Sequence, residues 1–429
     1  MSDNIVLVSI DSLRADHCGF HGYEKDVMPT MDSMAENGLV FENAIAPAPS
    51  TPGSMSATHT GRFLKPYSTD GDAVIVNRQH NISRHMRENP TLAERLSENG
   101  YTTIGFSANP FTSRYFGYGD DFDEYTDFLD NDDRPLAGLY DRIFQRFVSG
   151  DTELTPVRLM LNYLEGEEIF KSWEQYYDDV LAAVEAAEEP YFLWVFLLDT
   201  HLPYFVNRHR RDRVSWLDMW RYNLRLYRSD PKFSDGELDD LIALYDATVR
   251  QADDFLDRLT DDLADSDPVY FVHSDHGEAF GEHGMCGHEP YTYEENIHVP
   301  YFIANGDWSG TRSEPVSLRQ IPHHIWEHAG LGEWEDSAEQ PGSDTLSNPF
   351  GMRSAVRTND WKYIWKPGAD ESEEVYALSE DPAERENLAE IQFDVRGELR
   401  RLADFRMSSE REQLAISNAI ESVTEATEL

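Results

Sequence analysis

Four short stretches hold the residue types that can do chemistry. They are "IDSLRAD", with Asp11 and Arg14; "PAPSTPGSMSATHTGRF", Pro47 to Phe63; "LLDTHLPY", with His201; and "FVHSDHGEAFGEHGMCGHEPYTYEENIHVPYF". The last carries His273, Asp275, His276, His283, His288 and His298. A lone histidine at a strand end is usually structural. Five histidines with aspartate and glutamate inside 26 residues are a different matter. Imidazole and carboxylate together suit a transition metal such as Mn or Zn, whereas a harder ion prefers carboxylates alone. The hydroxyl-rich stretch has two readings. It is a polar loop entering a helix, or it sets a nucleophile at a helix start, where free N–H groups favour an anion. A hydroxyl attacks poorly at neutral pH. A divalent cation would stabilise its alkoxide and offset an anionic substrate's charge.

These residues need a scaffold that brings them together. Ile5–Ile10 is apolar on both faces, as in a buried parallel strand, and Asp11 ends it. "TMDSMAENGLVFENAIA" predicts a helix from Thr30, a stop near Gly38 and a strand at Leu39–Phe41. "TLAERLSENGYTTIGFSAN" predicts a helix, then a strand through Phe106, and two later stretches repeat the plan. Helices alternating with buried strands predict an α/β fold with a large, mostly parallel sheet flanked by helices. Chemistry in such sheets gathers beyond the carboxyl ends of the strands. Asp11, Asn109, Asp199–His201 and Asp275–His276 all stand there.

Residues 1–345 are expected to form this catalytic domain, with helical insertions at about 127–190 and 205–235. The second insertion is the one basic stretch. It either covers the site or neutralises nearby acids. Residues 346–429 are expected to form a small α+β subdomain, from strand-like "SAVRTNDWKYIWKP" and "SEEVYALSED" and a helix from Phe393 onward.

The chain has 429 residues and a net charge of −45, from 81 acidic and 36 basic residues, of which only 6 are lysine. That balance disfavours nucleic acid and anionic membranes as partners. It matches proteins that work in concentrated salt, where screening relieves carboxylate repulsion. With 40% hydrophobic residues the chain can bury a large core. The two cysteines, Cys18 and Cys286, form no disulfide framework or CxxC site. Neither "MSDNIVLVSID" nor the longest apolar run, Tyr191 to Leu198, has the length of a membrane span. A soluble, cytoplasmic protein is expected.

Together these stretches resemble the sulfatase branch of the alkaline phosphatase superfamily. "NIVLVSIDSLRADHCGFHGY" is similar to that family's opening strand and metal turn. The segment ending in Thr60-Gly61-Arg62 resembles its nucleophile segment, "VHSDHGEAFGEHG" its second metal segment, and "VRTNDWKYIW" with "VYALSEDPAERENLAE" its C-terminal subdomain. The resemblance implies one divalent ion (Mn, Ca, Mg or Zn) on Asp11, Thr51, Asp275 and His276. It implies substrate contacts from Arg14, Asn109, His201 and His288, with Thr51, His201 and His288 catalytic. Where many sulfatases have a second Asp beside the first, Ser12 stands, as in phosphonate- and phosphodiester-cleaving relatives. Sulfatases use a formylglycine made from Cys or Ser in a C/S-x-P-x-R motif. Counting back from Thr60-Gly61-Arg62 without a gap places Thr51 there, and threonine cannot be converted by that route. Aligning on the proline would choose Ser50 instead. The motif's arginine is replaced by Met55 or Ser54.

The expected function is metal-dependent cleavage of a small anionic sulfate or phosphate ester. The alternatives are phosphodiester or phosphonate hydrolysis, or phosphoryl transfer, using threonine. A binding protein with a degraded site is the non-enzyme reading.

Overall fold

The structure, a computed structural model, describes residues 3–65, 74–128, 171–206, 210–211, 213–226, 231–288, 290–332, 334, 344–349, 353–366 and 371–427. Its centre is an eight-stranded sheet. The strands in chain order are β1 (Ile5–Ile10), β2 (Leu39–Phe41), β3 (Thr102–Ser107), β4 (Glu124–Thr126), β5 (Tyr191–Leu197), β6 (Val269–Ser274), β7 (Tyr301–Ala304) and β8 (Gly310–Arg312). They lie in the order β8-β2-β7-β6-β1-β5-β3-β4. Only β7 runs antiparallel to its neighbours. The mostly parallel sheet read from the sequence is therefore present.

β1 shows why the sequence folds this way. Val6, Val8 and Ile10 enter one apolar cluster, with Leu193, Val195 and Leu197 of β5. Ile5 and Leu7 enter the cluster on the other face, with Phe192, Trp194 and Phe196. Side chains alternate along a strand, so a run buried on both faces must be apolar at every position. Each such side chain contributes about 1.5–3 kcal/mol by leaving water. The register pairs Ile10 with both Leu197 and Ser274, and Ser107 with Phe196. The ends of β6, β1, β5 and β3 are thus level, and the residues following them emerge side by side.

Five helices build or brace the crevice at these strand ends and the neighbouring subdomain: α1 (Pro29–Asn37), α2 (Thr51–Thr60), α3 (Trp216–Leu226), α4 (Asp235–Asp262) and α5 (Phe393–Thr427). α2 explains its own odd composition. It is buried on nearly every side, so small residues are needed for close packing. Three of its hydroxyls bond back along the helix: Ser56 donates to the Pro52 carbonyl (2.7 Å), Thr58 to the Ser54 carbonyl (3.0 Å) and Thr60 to the Ser56 carbonyl (2.8 Å). The helix stops at Gly61, whose φ of 73° suits glycine, and a Cβ there would meet Trp334 Nε1 at 3.1 Å.

α3 and the residues around it supply the basic stretch. Arg225 pairs with Glu237 (3.0 Å) and Arg213 with Asp240 (3.0 Å), both acids of α4, and Arg221 also binds Glu237. These cations neutralise nearby acids, the second of the two readings for this stretch. Of the expected insertion at 127–190, residues 129–170 lie outside the described residues. No helix among the described residues is long and apolar enough to cross a membrane.

The C-terminal part is a four-stranded antiparallel sheet, β9 (Asp344–Ser347), β10 (Ser354–Thr358), β11 (Trp361–Lys366) and β12 (Ser372–Ala377). β9 runs across the expected boundary at 345/346. α5 packs Leu399, Ala403 and Met407, spaced by four, onto Val356, Tyr363 and Val375.

Candidate active site

Asp11 follows β1 directly. Its backbone N–H still bonds the Leu197 carbonyl (2.9 Å), so the sheet fixes its position. Ser12, next in the chain, has a φ of 58°, a strained value for a residue with a Cβ. The turn is held from several sides. Ser12 N–H donates to Asp275 Oδ1 (3.1 Å), Leu13 N–H to Ser274 Oγ (2.7 Å), and Tyr245 of α4 donates to the Ser12 carbonyl (2.8 Å). Asp275 and His276 follow β6 in the same way, with Asp275 N–H on the Ile10 carbonyl (3.3 Å).

The result is a compact polar centre in which Asp11, Asp275 and His276 are fully buried. One ligand atom from each lies within 4.8 Å of the other two. His276 Nε2 is 3.4 Å from Asp275 Oδ2 and 3.7 Å from Asp11 Oδ1. The other ring nitrogen, Nδ1, is 2.9 Å from the Gly277 carbonyl, which can only accept. That contact puts the proton on Nδ1 and turns the Nε2 lone pair inward. Asp11 accepts from Ser12 Oγ (2.8 Å) and from Asn109 Nδ2 (2.6 Å), and its carbonyl accepts the Thr200 hydroxyl. Thr51, the first residue of α2, points its Oγ1 into this centre, 3.3 Å from His276 Nε2 and 3.4 Å from Asn109 Nδ2.

The electrostatics favour a cation here. Burial, then the neighbouring Asp275, raises the Asp11 carboxyl above its ordinary range. Burial lifts Asp275 to about 6. Burial, then the charge of His288, drops His276 to about 4. Asp275 Oδ2 is buried with no hydrogen bond. Two buried carboxylates, one with an unpaired oxygen, and a neutral imidazole with its lone pair inward form a donor set that fits a divalent ion.

His201 and His288 stand beside this centre. The His288 ring is 4.3 Å from that of His276 and 5.7 Å from that of His201. His288 Nδ1 lies 3.3 Å from Oε1 of buried Glu278. Burial raises Glu278, but the charge and hydrogen bond of His288, with His201 and His276, outweigh it and hold the carboxyl below its usual range. His201 Nδ1 rests on the Leu202 carbonyl, so its Nε2 is the nitrogen left for other partners.

Asp11, Thr51, Asn109, Asp275 and His276 are thus brought together, with His201 and His288 alongside. Arg14 is placed differently. Its guanidinium is committed to Asp16 (2.6 and 2.8 Å), Glu282 (2.8 Å) and the Glu278 carbonyl (3.0 Å). The histidine-rich stretch also disperses: His273 bonds Ser9 Oγ in the core (2.8 Å), and His298 binds the Glu42 carbonyl (2.8 Å). Two supporting residues escaped the sequence reading. Glu278, two residues beyond His276, could have been suspected from its place among the histidines. Tyr245 carries no local signal.

The sequence profile named Sulfatase matches residues 3–331 of the 429. The chain belongs to the sulfatase family. As the family and its relatives show, it is a hydrolase of ester bonds. The delta 4,5-hexuronate-2-O-sulfatase of Bacteroides thetaiotaomicron is 21% identical over an alignment covering 90% of this chain and 84% of that protein. An arylsulfatase of Clostridium perfringens is 34% identical over 105 residues, which span 24% of this chain and 20% of that protein. The phosphonate monoester hydrolase of Agrobacterium radiobacter shares the fold, with a TM-score of 0.63 over 95% of this chain and 96% of that one at 16% identity. The sulfatase fold therefore accommodates enzymes named for sulfate esters and for phosphonates alike.

Proposed function

We propose that this sulfatase-family hydrolase cleaves a small anionic ester of the sulfate or phosphate type, with Thr51 Oγ1 as the attacking atom. Asp11, Asp275, His276 and Thr51 would hold one divalent ion. When bound, the ion would supply the positive charge that activates a hydroxyl and offsets the charge of the anion. The observation that carries the reading is the position of Thr51 Oγ1, 3.3 Å from His276 Nε2 at the start of a buried helix. Thr51 Oγ1, its proton given up to water, forms a bond to sulfur or phosphorus as the bond to the leaving oxygen breaks, and water later hydrolyses the Thr51 ester and restores the hydroxyl. Asn109, held between Asp11 and Thr51, orients the attacking oxygen and the anion. His201 and His288 donate to the substrate's oxygens, one of them protonating the leaving oxygen. Glu278 turns His288 so that Nε2 faces away from it. Arg14 braces the Glu278 backbone rather than the anion.

Within this reading, two features favour phosphodiester or phosphonate hydrolysis, or phosphoryl transfer, over sulfate. Ser12 replaces a second metal aspartate and spends its hydroxyl on Asp11 (2.8 Å). Thr51 also cannot become formylglycine. The intact Asp11–Asp275–His276 group weighs against a degraded binding protein. The excess of carboxylates supports work in concentrated salt. Turnover of aryl sulfate, aryl phosphonate and bis-aryl phosphate is the test, each with Mn²⁺, Ca²⁺, Mg²⁺ or Zn²⁺ added to chelator-treated protein. Turnover of at least one ester that depends on the ion is expected. Inertness toward all three esters with every ion would refute the proposal.

A further inference from the structure

A second group of ligating side chains lies where the C-terminal sheet meets the segment after β6. His283, Glu295 and Glu384 each bring one ligand atom within 4.8 Å of the other two. Both glutamates are buried, Glu295 at 8% exposure and Glu384 at 1%. Glu295 Oε1 has no hydrogen bond at all. Its nearest counter-charge among the described residues is His283 Nε2, at 3.6 Å, beyond hydrogen-bond reach. The His283 ring is held in place by stacking on Tyr293, centroid to centroid 3.7 Å and nearly parallel at 6°.

The lysine and arginine nearby do not answer this need. Lys362 and Arg357 are both engaged with Glu294, at 3.0 and 3.4 Å. Lys362 also lies 3.0 Å from Glu384 Oε1, and the other Glu384 oxygen accepts the Glu294 backbone N–H, at 2.5 Å. A carboxylate has about four lone-pair sites, so Glu384 can serve an ammonium and a metal together. Glu295 is left with a buried oxygen that no hydrogen bond reaches, and Lys362 and Arg14 act on it only through their charge. Burial pushes its carboxyl up to about 7, in keeping with that want.

We propose that His283, Glu295 and Glu384 bind a second divalent ion of the kind that takes mixed imidazole and carboxylate ligands, Zn²⁺ or Mn²⁺. Bonds of about 2.0–2.2 Å put ligand atoms roughly 3–4 Å apart, so an ion would draw together three atoms that now lie within 4.8 Å of one another. The ion would tie Glu384, in the turn that follows the C-terminal sheet, to His283 and Glu295 on the segment that carries His288. It would act as a cross-link that holds the His288-bearing loop, distinct from the Asp11 centre.

The test is the number of Zn²⁺ ions bound per chain, measured by plasma mass spectrometry on chelator-treated full-length protein after reloading and desalting. Wild type should hold two, Asp275→Asn one, and Asp275→Asn combined with Glu295→Gln none. Co²⁺ added to Asp275→Asn should give a visible d–d absorption band, and His283→Gln in that background should remove it. This second variant alters a loop side chain and keeps the test valid if Glu295→Gln does not fold. Asp275→Asn protein that binds neither Zn²⁺ nor Co²⁺ overturns the second site. So does a second ion that survives both Glu295→Gln and His283→Gln. A wild type with a single ion, indifferent to Asp275→Asn but lost with Glu295→Gln, would uphold this site and instead overturn the Asp11 centre.

Discussion

The end of the sheet and the seam with the C-terminal subdomain both bury carboxylates beside a histidine, yet they balance charge differently. At the sheet end, Asp11 and Asp275 share a fully buried pocket in which the one basic side chain within ion-pair distance, among the described residues, is the neutral imidazole of His276. At the seam, fully buried Lys362 already sits between Glu294 and Glu384, while Glu295 has no ammonium or guanidinium within ion-pair distance among the described residues. The lesson concerns where charge is supplied. A seam whose task is to hold two parts together carries its own ammonium. In the proposed function, a centre whose task is to meet an anion would leave its carboxylates to an outside cation, which could face the substrate as well. Burying a charge without a partner costs several kcal/mol, which is why burial raises both carboxyls toward their neutral forms in the absence of an ion.

The largest expected effect breaks the sheet-end side of this contrast. Asp275→Asn should lower kcat by about 10³-fold or more and abolish the ion at that centre, read by steady-state assay and metal content. Thr51→Ala should fall comparably, and Thr51→Ser should stay within about 100-fold of wild type because a hydroxyl remains. Thr51→Ala and Asp275→Asn combined should be hardly worse than either alone, since the two act as one unit. Full additivity in that double variant would mean that Thr51 and the carboxylates serve separate tasks.

Next in size is Lys362→Met at the seam. It leaves Glu294 and Glu384 without their shared ammonium and should destabilise the protein by about 3–5 kcal/mol in denaturant unfolding. It should also make the seam resemble the sheet end, so that added Zn²⁺ restores more stability to this variant than to wild type. An unchanged midpoint would show that Lys362 does not hold the seam.

A smaller effect arises from Asp275. In the ion-free protein burial holds its carboxyl at about 6, against an ordinary 3.8. Between those values the folded state binds more protons than the unfolded state, so the ion-free fold loses stability as pH rises from about 4 to about 6. An ion at this centre removes that loss. The rise in Tm on adding the ion should be full above pH about 6 and fade as pH falls through it. A gain in Tm that is the same at pH 5 and pH 8 would contradict the raised carboxyl. The smallest expected effect is general: with a net charge of −45, Tm should climb by several degrees from low to molar salt. A flat or falling midpoint would remove the argument for a salt-adapted protein.

How much of the fold and site was legible in the sequence depends on the physics of each element. β1, β5 and β6 could be read because strands buried on both faces are continuous apolar runs. Their polar ends, Asp11, His201 and Asp275–His276, could be read because such a run stops where the chain reaches the crevice. Thr51 was legible through its distance from Thr60-Gly61-Arg62. For Arg14, sequence shows only that a cation is near the turn, whereas the fold brings Glu282, 268 residues away, to pair with it. Tyr245 and Lys362 were illegible for the same reason: their partners come from elements hundreds or tens of residues distant. The histidine-rich stretch was half legible. Its composition pointed to metal, but the alternation of β6 sends His273 into the core while the turn after it delivers His276.

The most direct test of the central claim is peptide mass spectrometry across Pro47–Arg62, on His201→Ala protein quenched during turnover of a cleavable ester. An aryl leaving group departs without a proton donor, whereas hydrolysis of the intermediate still needs the imidazole to take a proton from water, so the intermediate should accumulate. A sulfate- or phosphate-type adduct on Thr51, with Ser50 unmodified, is the predicted result. A formylglycine at residue 50, or an adduct carried by Ser50 instead, would contradict the account.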